Sequence, residues 1–286
     1  MYSRGNEKRN ANSRKVAVNY VNTSYTDRLV SDERIFQAVD ILLGMQNSDD
    51  GYASYERIRG PQWLEKLNPA QVFGNIMIEY SYPECTTAVL LGLATFRKYN
   101  PSYRAKDVES TIRRSVSYIR KSQNADGSWF GSWGICFTYA MFFAIESLSS
   151  IGEAYISSNE LRKACDFLVS KQKEDGGWGE SYRSCETGVY CQHENSQVVQ
   201  TSWAVLALMA AEYPEKQVIS RAIQHLISKQ RPNGEWLQES IEGVFNKNCM
   251  ISYPNYKFYF PVWALGRYAR LYETNSNDAA SNQQSQ

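Results

Sequence analysis

The chain has 286 residues, with 31 Lys and Arg against 30 Asp and Glu, a net charge of +1; a nucleic-acid binder would carry a clear basic excess. Apolar side chains make up 43% and charged ones 21%, which excludes a wholly disordered chain, and at about 150 residues per domain the length fits one large or two small domains. Aromatics stand out at 20 Tyr, 11 Phe and 7 Trp, while six scattered Cys are too few for a disulfide scaffold and read as reduced thiols of an intracellular protein.

Residues 1–28 read as an irregular or disordered arm. The opening MYSRGNEKRNANSRK is basic and has no apolar run, so it lacks the core of a secretory signal, and its Asn content and missing apolar face argue against a mitochondrial presequence. Residues 274–286 hold no large apolar side chain and read as a disordered tail. Between them, residues 29–273 form the domain. Its longest apolar segment, Ile135–Leu148, is interrupted by Glu146 and falls short of the roughly 18 residues that span a membrane.

Inside the domain one plan recurs. Ser31 can cap a first helix, with Asp32 and Glu33 at its positive end; Ile35, Phe36, Val39, Leu42 and Leu43 then form one helical stripe. Gln46 follows, then a polar turn and Tyr52. The segment Thr86–Phe96 is apolar nearly all round. A second amphipathic stripe, Val108, Ile112, Val116 and Ile119, leads to Gln123, an Asp-Gly turn and Trp129, and Ile135–Leu148 is again apolar on every side. Leu161, Ala164, Cys165 and Leu168 precede Gln172 and Trp178, and the apolar Val198–Ala211 follows. Val218, Ile219, Ala222, Ile223, Leu226 and Ile227 precede Gln230 and Trp236, and Val262–Leu271 closes the series. Half-buried helices alternate with helices expected to be buried on all sides. The arrangement that satisfies both is an inner ring within an outer ring, an all-α fold of the α/α toroid type. Gln can donate and accept at helix ends, Asp-Gly and Asn-Gly supply a left-handed residue, and Trp covers the turn, so these repeats read as staples.

The Gln-x-x-x-Gly-x-Trp repeat resembles that of the terpene cyclase family, and longer strings narrow the resemblance. GYASYE at Gly51, PECTTA at Pro83, GSWFGSWGICFTYA at Gly127, GGWGESY at Gly176 and GVFNKNCMISYPNYKFYFPVWALGRY at Gly243 are similar to the C-terminal domain of oxidosqualene cyclases of the lanosterol synthase type, most like fungal ones. The resemblance implies cyclisation of oxidosqualene to lanosterol or a related triterpene through carbocations, in a cavity whose aromatic faces stabilise positive charge. It places Trp133, Phe245 and Tyr253 as cavity aromatics. Tyr55 corresponds to a tyrosine of the final deprotonation network, Cys85 to a cysteine that hydrogen-bonds the catalytic acid, and Ile76 to a position on the substrate channel. It also implies no cofactor, a lipid substrate, contact with the endoplasmic reticulum membrane or a lipid droplet through one face without a transmembrane segment, and no nucleic-acid partner.

The family's proton donor sits in an Asp-Cys-Thr-Ala-Glu string, absent from this sequence; its place would fall just upstream of residue 30, where KVAVNYVNTSYTDR stands. The family's N-terminal domain has no counterpart here. The chain is therefore expected to be inactive alone, as a fragment or one half of an assembly whose other part is an N-terminal domain or second chain. The alternative is a non-catalytic lipid- or partner-binding remnant. Asp49 and Asp50 lie in a turn and are expected to be solvated, and Glu84 is a weak candidate acid. A protein prenyltransferase would need an Asp, Cys and His zinc site; Cys185, Cys191 and His193 match no standard short motif. A glycoside hydrolase would need paired carboxylates, and the apolar helices offer almost none.

Overall fold

The computed structural model describes residues 30–70, 73–245 and 249–273. The arm at 1–28, the KVAVNYVNTSYTDR stretch and the tail at 274–286 lie outside them. The chain divides into two units, residues 1–40 and 41–286. In the first, helix α1 (Asp32–Gly44) begins, and the Arg34 N–H donates to Ser31 Oγ at 3.4 Å, the cap expected there.

The second unit carries a 3₁₀ turn at Gln62–Leu67 and then helices α2 (Pro83–Tyr99), α3 (Ala105–Lys121), α4 (Cys136–Ser150) and α5 (Asn159–Ser170). A short α6 (Arg183–Thr187), α7 (Val198–Ala210) and α8 (Lys216–Ser228) follow. A two-stranded antiparallel hairpin, β1 (Gly243–Phe245) and β2 (Cys249–Ile251), precedes α9 (Tyr256–Tyr268), which ends in a π-turn, Ala269–Glu273. Helices α2, α4, α7 and α9 pack side by side in that order, and α3, α5 and α8 lie against them from outside. This is the two-layer α/α arrangement of a toroid, and the fold is all-α.

The four polar turns are built alike. Tyr52 donates its hydroxyl to Leu42 O, and Trp129, Trp178 and Trp236 donate their indole N–H to Ile119, Leu168 and Leu226 O, each ten residues back and between 2.7 and 3.0 Å. The side-chain nitrogens of Gln46, Gln123, Gln172 and Gln230 donate to the carbonyl four residues on, at 2.9–3.0 Å. Three of them also reach the next outer helix, at Thr111, Glu160 and Val218 O. Asp49, Asp126, Asp175 and Asn233 each accept the N–H two residues on. The residue after each of these is left-handed: Asp50 (φ 75), Gly127, Gly176 and Gly234, a conformation glycine adopts without steric cost. Asp49 and Asp50 are thus turn elements, Asp49 exposed to solvent as expected and Asp50 half-buried. Asp49 also accepts from Ser81 Oγ at 2.8 Å, and Asp50 pairs with Arg114 at 2.6 Å.

Two expectations need correction. The last apolar helix is not buried all round: of α9 only Pro261 and Ala264 are buried, while Val262 is 61% and Trp263 44% exposed. Among the described residues α9 packs mainly against α7, with α8 beside it, so apolar character there did not produce burial. Helix α2 is likewise not covered on every side, being exposed at Ala88, Gly92 and Thr95, and the acids of the inner helices are those visible in the sequence. Glu146 on α4 pairs with Arg267 of α9, and Glu84 lies buried in the first turn of α2.

Candidate functional site: an aromatic wall at the helix N-termini

Inner helices begin where the loops that follow the polar turns cross over them, and carboxylates bind those N-termini, where free N–H groups and the helix dipole favour negative charge. Glu180, 1% exposed, accepts from Cys136 N (3.1 Å), Phe137 N (3.0 Å) and both Thr138 N and Oγ1 (2.8 Å), closing the start of α4. Glu239 accepts from Val198 N at 2.6 Å at the start of α7. At α2 the polarity is reversed. Glu84 belongs to the helix, and its Oε1 accepts from Ser132 N (2.5 Å) and Trp133 N (3.2 Å) of the crossing loop.

That loop is also tied to the hairpin. The Ile135 N–H donates to Glu242 O at 2.8 Å, the Val244 N–H to Trp133 O at 3.4 Å, and Gly134 pairs with Gly243. The result is that Trp133 and Phe245 meet, their ring centroids 5.1 Å apart. Tyr82 packs edge-on to Trp133, and Phe73 edge-on to Phe245, each at 5.6 Å, geometries favoured by ring quadrupoles. On the other side of the hairpin the Tyr253 ring lies over Gly243, where a Cβ would come within 2.1 Å of it, and stacks on Tyr256 at 4.8 Å. Tyr256 continues through Phe260 to Trp203 and Tyr139. The rings thus form two groups against the hairpin, Tyr82–Trp133–Phe245–Phe73 and Tyr253–Tyr256–Phe260–Trp203–Tyr139.

The remaining predicted positions are spread more widely. Cys85 follows Glu84, its Sγ 3.8 Å from Ser54 Oγ, and burial pushes its thiol up to about 11. Tyr55, next to Ser54, is 74% exposed. Ile76 is exposed on a segment wrapped around Glu65, whose carboxylate accepts the N–H groups of Ile76 and Met77 and the Tyr80 hydroxyl. Exposed Trp63, Leu67, Phe73 and Met77 share that segment. Cys185, Cys191 and His193 do not converge: Cys185 is buried beside Cys136 and Phe137, Cys191 faces Thr187, and His193 turns its Nδ1 to Asn195. Among the described residues no three metal-binding side chains stand together.

Sequence reasoning missed Tyr82, Phe73 and Glu242, for which no pattern existed, and undervalued Glu84. Glu84 is 6% exposed, and burial raises its pKa against the opposing hydrogen bonds from the loop. Its signal was a carboxylate one residue into an otherwise apolar helix. Glu242, 2% exposed, is raised to about 7, chiefly by burial.

The squalene-hopene cyclase C-terminal domain family matches residues 11–270. The chain belongs to this family. It is 60% identical over 245 residues to the lanosterol synthase erg7A of Aspergillus fumigatus, covering 86% of this chain and 33% of that protein. Against the lanosterol synthase of Saccharomyces cerevisiae it is 52% identical over 257 residues, covering 88% and 35%, and against that of Homo sapiens 48% over 243 residues, covering 84% and 33%. The chain therefore spans about a third of the length of these curated relatives. Among solved structures, a type II terpene cyclase from Scytonema with bound merosterolic acid A shares the fold at a TM-score of 0.59 and 18% identity, over 84% of this chain and 67% of that one. The ent-copalyl diphosphate synthase of Streptomyces platensis does so at 0.54 and 14%, over 82% and 46%.

Proposed function

We propose that this cyclase-family chain supplies the C-terminal wall of a site that cyclises oxidosqualene to lanosterol or a related triterpene. The observation that carries the reading is the contact of Trp133 with Phe245, two residues far apart in sequence that the crossing loop and the hairpin bring ring to ring. The reaction is an isomerisation: a proton opens the epoxide, the polyene closes through cations, and a proton is lost at the end. Aromatic faces lower the energy of such cations where water is excluded. Trp133, Phe245 and Tyr253 would face them, Ile76 would line the approach of the lipid, and Cys85 would orient an acid. Tyr55 would serve in the closing deprotonation.

No Asp-Cys-Thr-Ala-Glu string occurs in the sequence, so the acid must come from elsewhere in an assembly, and the chain alone should not turn over. The relatives' additional length is the source we favour. The exposed Trp63, Leu67, Phe73, Ile76 and Met77 suit peripheral contact with an endoplasmic reticulum or lipid-droplet surface. No helix among the described residues is long and apolar enough to cross a membrane. The other reading, a non-catalytic remnant that binds lipid or a partner, is favoured only by the missing acid.

One experiment separates them. The full chain replaces the C-terminal third of the Saccharomyces cerevisiae relative, and products from oxidosqualene are analysed by mass spectrometry. We expect a cyclised triterpene, with Trp133→Ala and Phe245→Ala shifting it toward partly cyclised products. A folded chimera without conversion favours the remnant, and unchanged products in both variants remove the cavity assignments. Conversion by the chain alone would overturn its proposed inactivity.

A further inference from the structure

The loop acids Glu180 and Glu239 hold the N-termini of inner helices, whereas Glu84 does the reverse. It stands on α2, one residue before Cys85, and holds the loop that carries Trp133. Its Oε1 is shared between the N–H groups of Ser132 and Trp133, and its Oε2 is buried with no protein partner. The site is shaped around the carboxylate: a Cβ on Gly131 would stand 2.8 Å from Oε1, 3.0 Å from Cys136 O and 3.1 Å from Ala140 Cβ. Any larger residue there would displace the acid from the loop. The same loop places the Trp133 indole between Tyr82, which immediately precedes α2, and Phe245 of the hairpin. The indole Nε1 is itself buried without a partner. Nothing polar on the ring therefore sets its orientation. The backbone bonds on either side do so: Glu84 to its N–H, and the Val244 N–H to its carbonyl.

We infer that Glu84 is a positioning residue that holds the Trp133 ring, and with it the Trp133–Phe245 face, in register with the start of α2 where Cys85 stands. The inference rests on the cyclase reading for its consequence, though its geometric half stands on this chain alone. Two N–H groups bound by a buried carboxyl oxygen leave the loop one backbone path across α2. Without that oxygen the two half-buried donors lose their partner, a cost that the loop relieves by moving. The ring then swings with it.

The test has two arms. In the 286-residue chain, amide hydrogen exchange is read at Ser132 and Trp133. Glu84→Gln keeps an oxygen for both donors and should retain protection within about threefold, while Glu84→Ala, which removes the acceptor, should lose at least about tenfold. Should Glu84→Ala fail to fold, Gly131→Ala, which keeps the acid but pushes it away, takes its place. Unchanged protection at both amides in a folded variant overturns the inference. In the chimera, Glu84→Gln should give wild-type products and Glu84→Ala or Gly131→Ala a rise in partly cyclised ones. Lost protection with unchanged products would reduce Glu84 to a structural strut and overturn the positioning role. A wild-type chimera that makes no product counts against the cyclase reading instead, and leaves the exchange result to decide the geometry.

Discussion

Helices α7 and α9 are neighbours of the same length, and both are rich in apolar residues. In α7 every residue from Val198 to Met209 is buried, because α4 and α9 flank it and α5 and α8 cover it. In α9 two residues are buried, and Tyr259, Val262 and Trp263 are exposed, because its packing partners are α7 and α8 on one side. The same distinction shows in the turns. Gln172 bonds both its own turn and the following outer helix, whereas Gln230, after the last outer helix, bonds only Gly234 O among the described residues. An apolar helix thus needs flanking helices to be buried, and a staple needs a following repeat to complete it. Stability should be concentrated in the middle repeats and thin out toward α9.

The largest test of that contrast is a pair of truncations. Trp203, fully buried on α7 against Tyr139, Tyr256 and Phe260, should cost about 3–5 kcal/mol as Trp203→Ala. Val262→Ser on the exposed side of α9 should stay within about 0.5 kcal/mol. Urea midpoints would show it, and equal losses would mean that α9 is covered in solution. A smaller difference is expected at the turns. Gln172→Ala removes three bonds, including the one its oxygen accepts from Arg221, and should cost about 1–2 kcal/mol, and Gln230→Ala under about 0.5 kcal/mol; comparable melting shifts would break the idea that the following repeat completes the staple.

The smallest effect concerns pH. His225 on α8 is 5% exposed, and burial lowers its pKa, with Asp175 at 3.5 Å partly opposing and Lys229 reinforcing. The unfolded chain takes up this proton near about pH 6.5, while the folded chain resists it. Stability should therefore fall as pH drops through that value and level off below the folded pKa. His225→Gln should flatten this part of the profile. A wild-type melting temperature that rises on acidification through this range would show that Asp175 dominates.

The staples were legible residue by residue. Every Gln and Trp proposed as a turn element makes the bond its chemistry allows, and Tyr52 takes the place of tryptophan with the same partner ten residues back. The alternation of amphipathic and apolar segments was legible too, as was the family, from strings that run through the whole domain. The Trp133–Phe245 contact could be expected only through the resemblance, and the part played by Glu84 not at all, since its partners lie one repeat further along the chain.

By itself, then, the amino-acid sequence determined the helices, the four turns and the all-α class, because those interactions close within about ten residues, where spacing dictates contact. Tertiary structure alone decided which apolar helix is covered, which acids close helix ends, and which rings meet. Those contacts join different repeats, and they depend on how each inner helix is flanked, a property that no local pattern of side chains encodes.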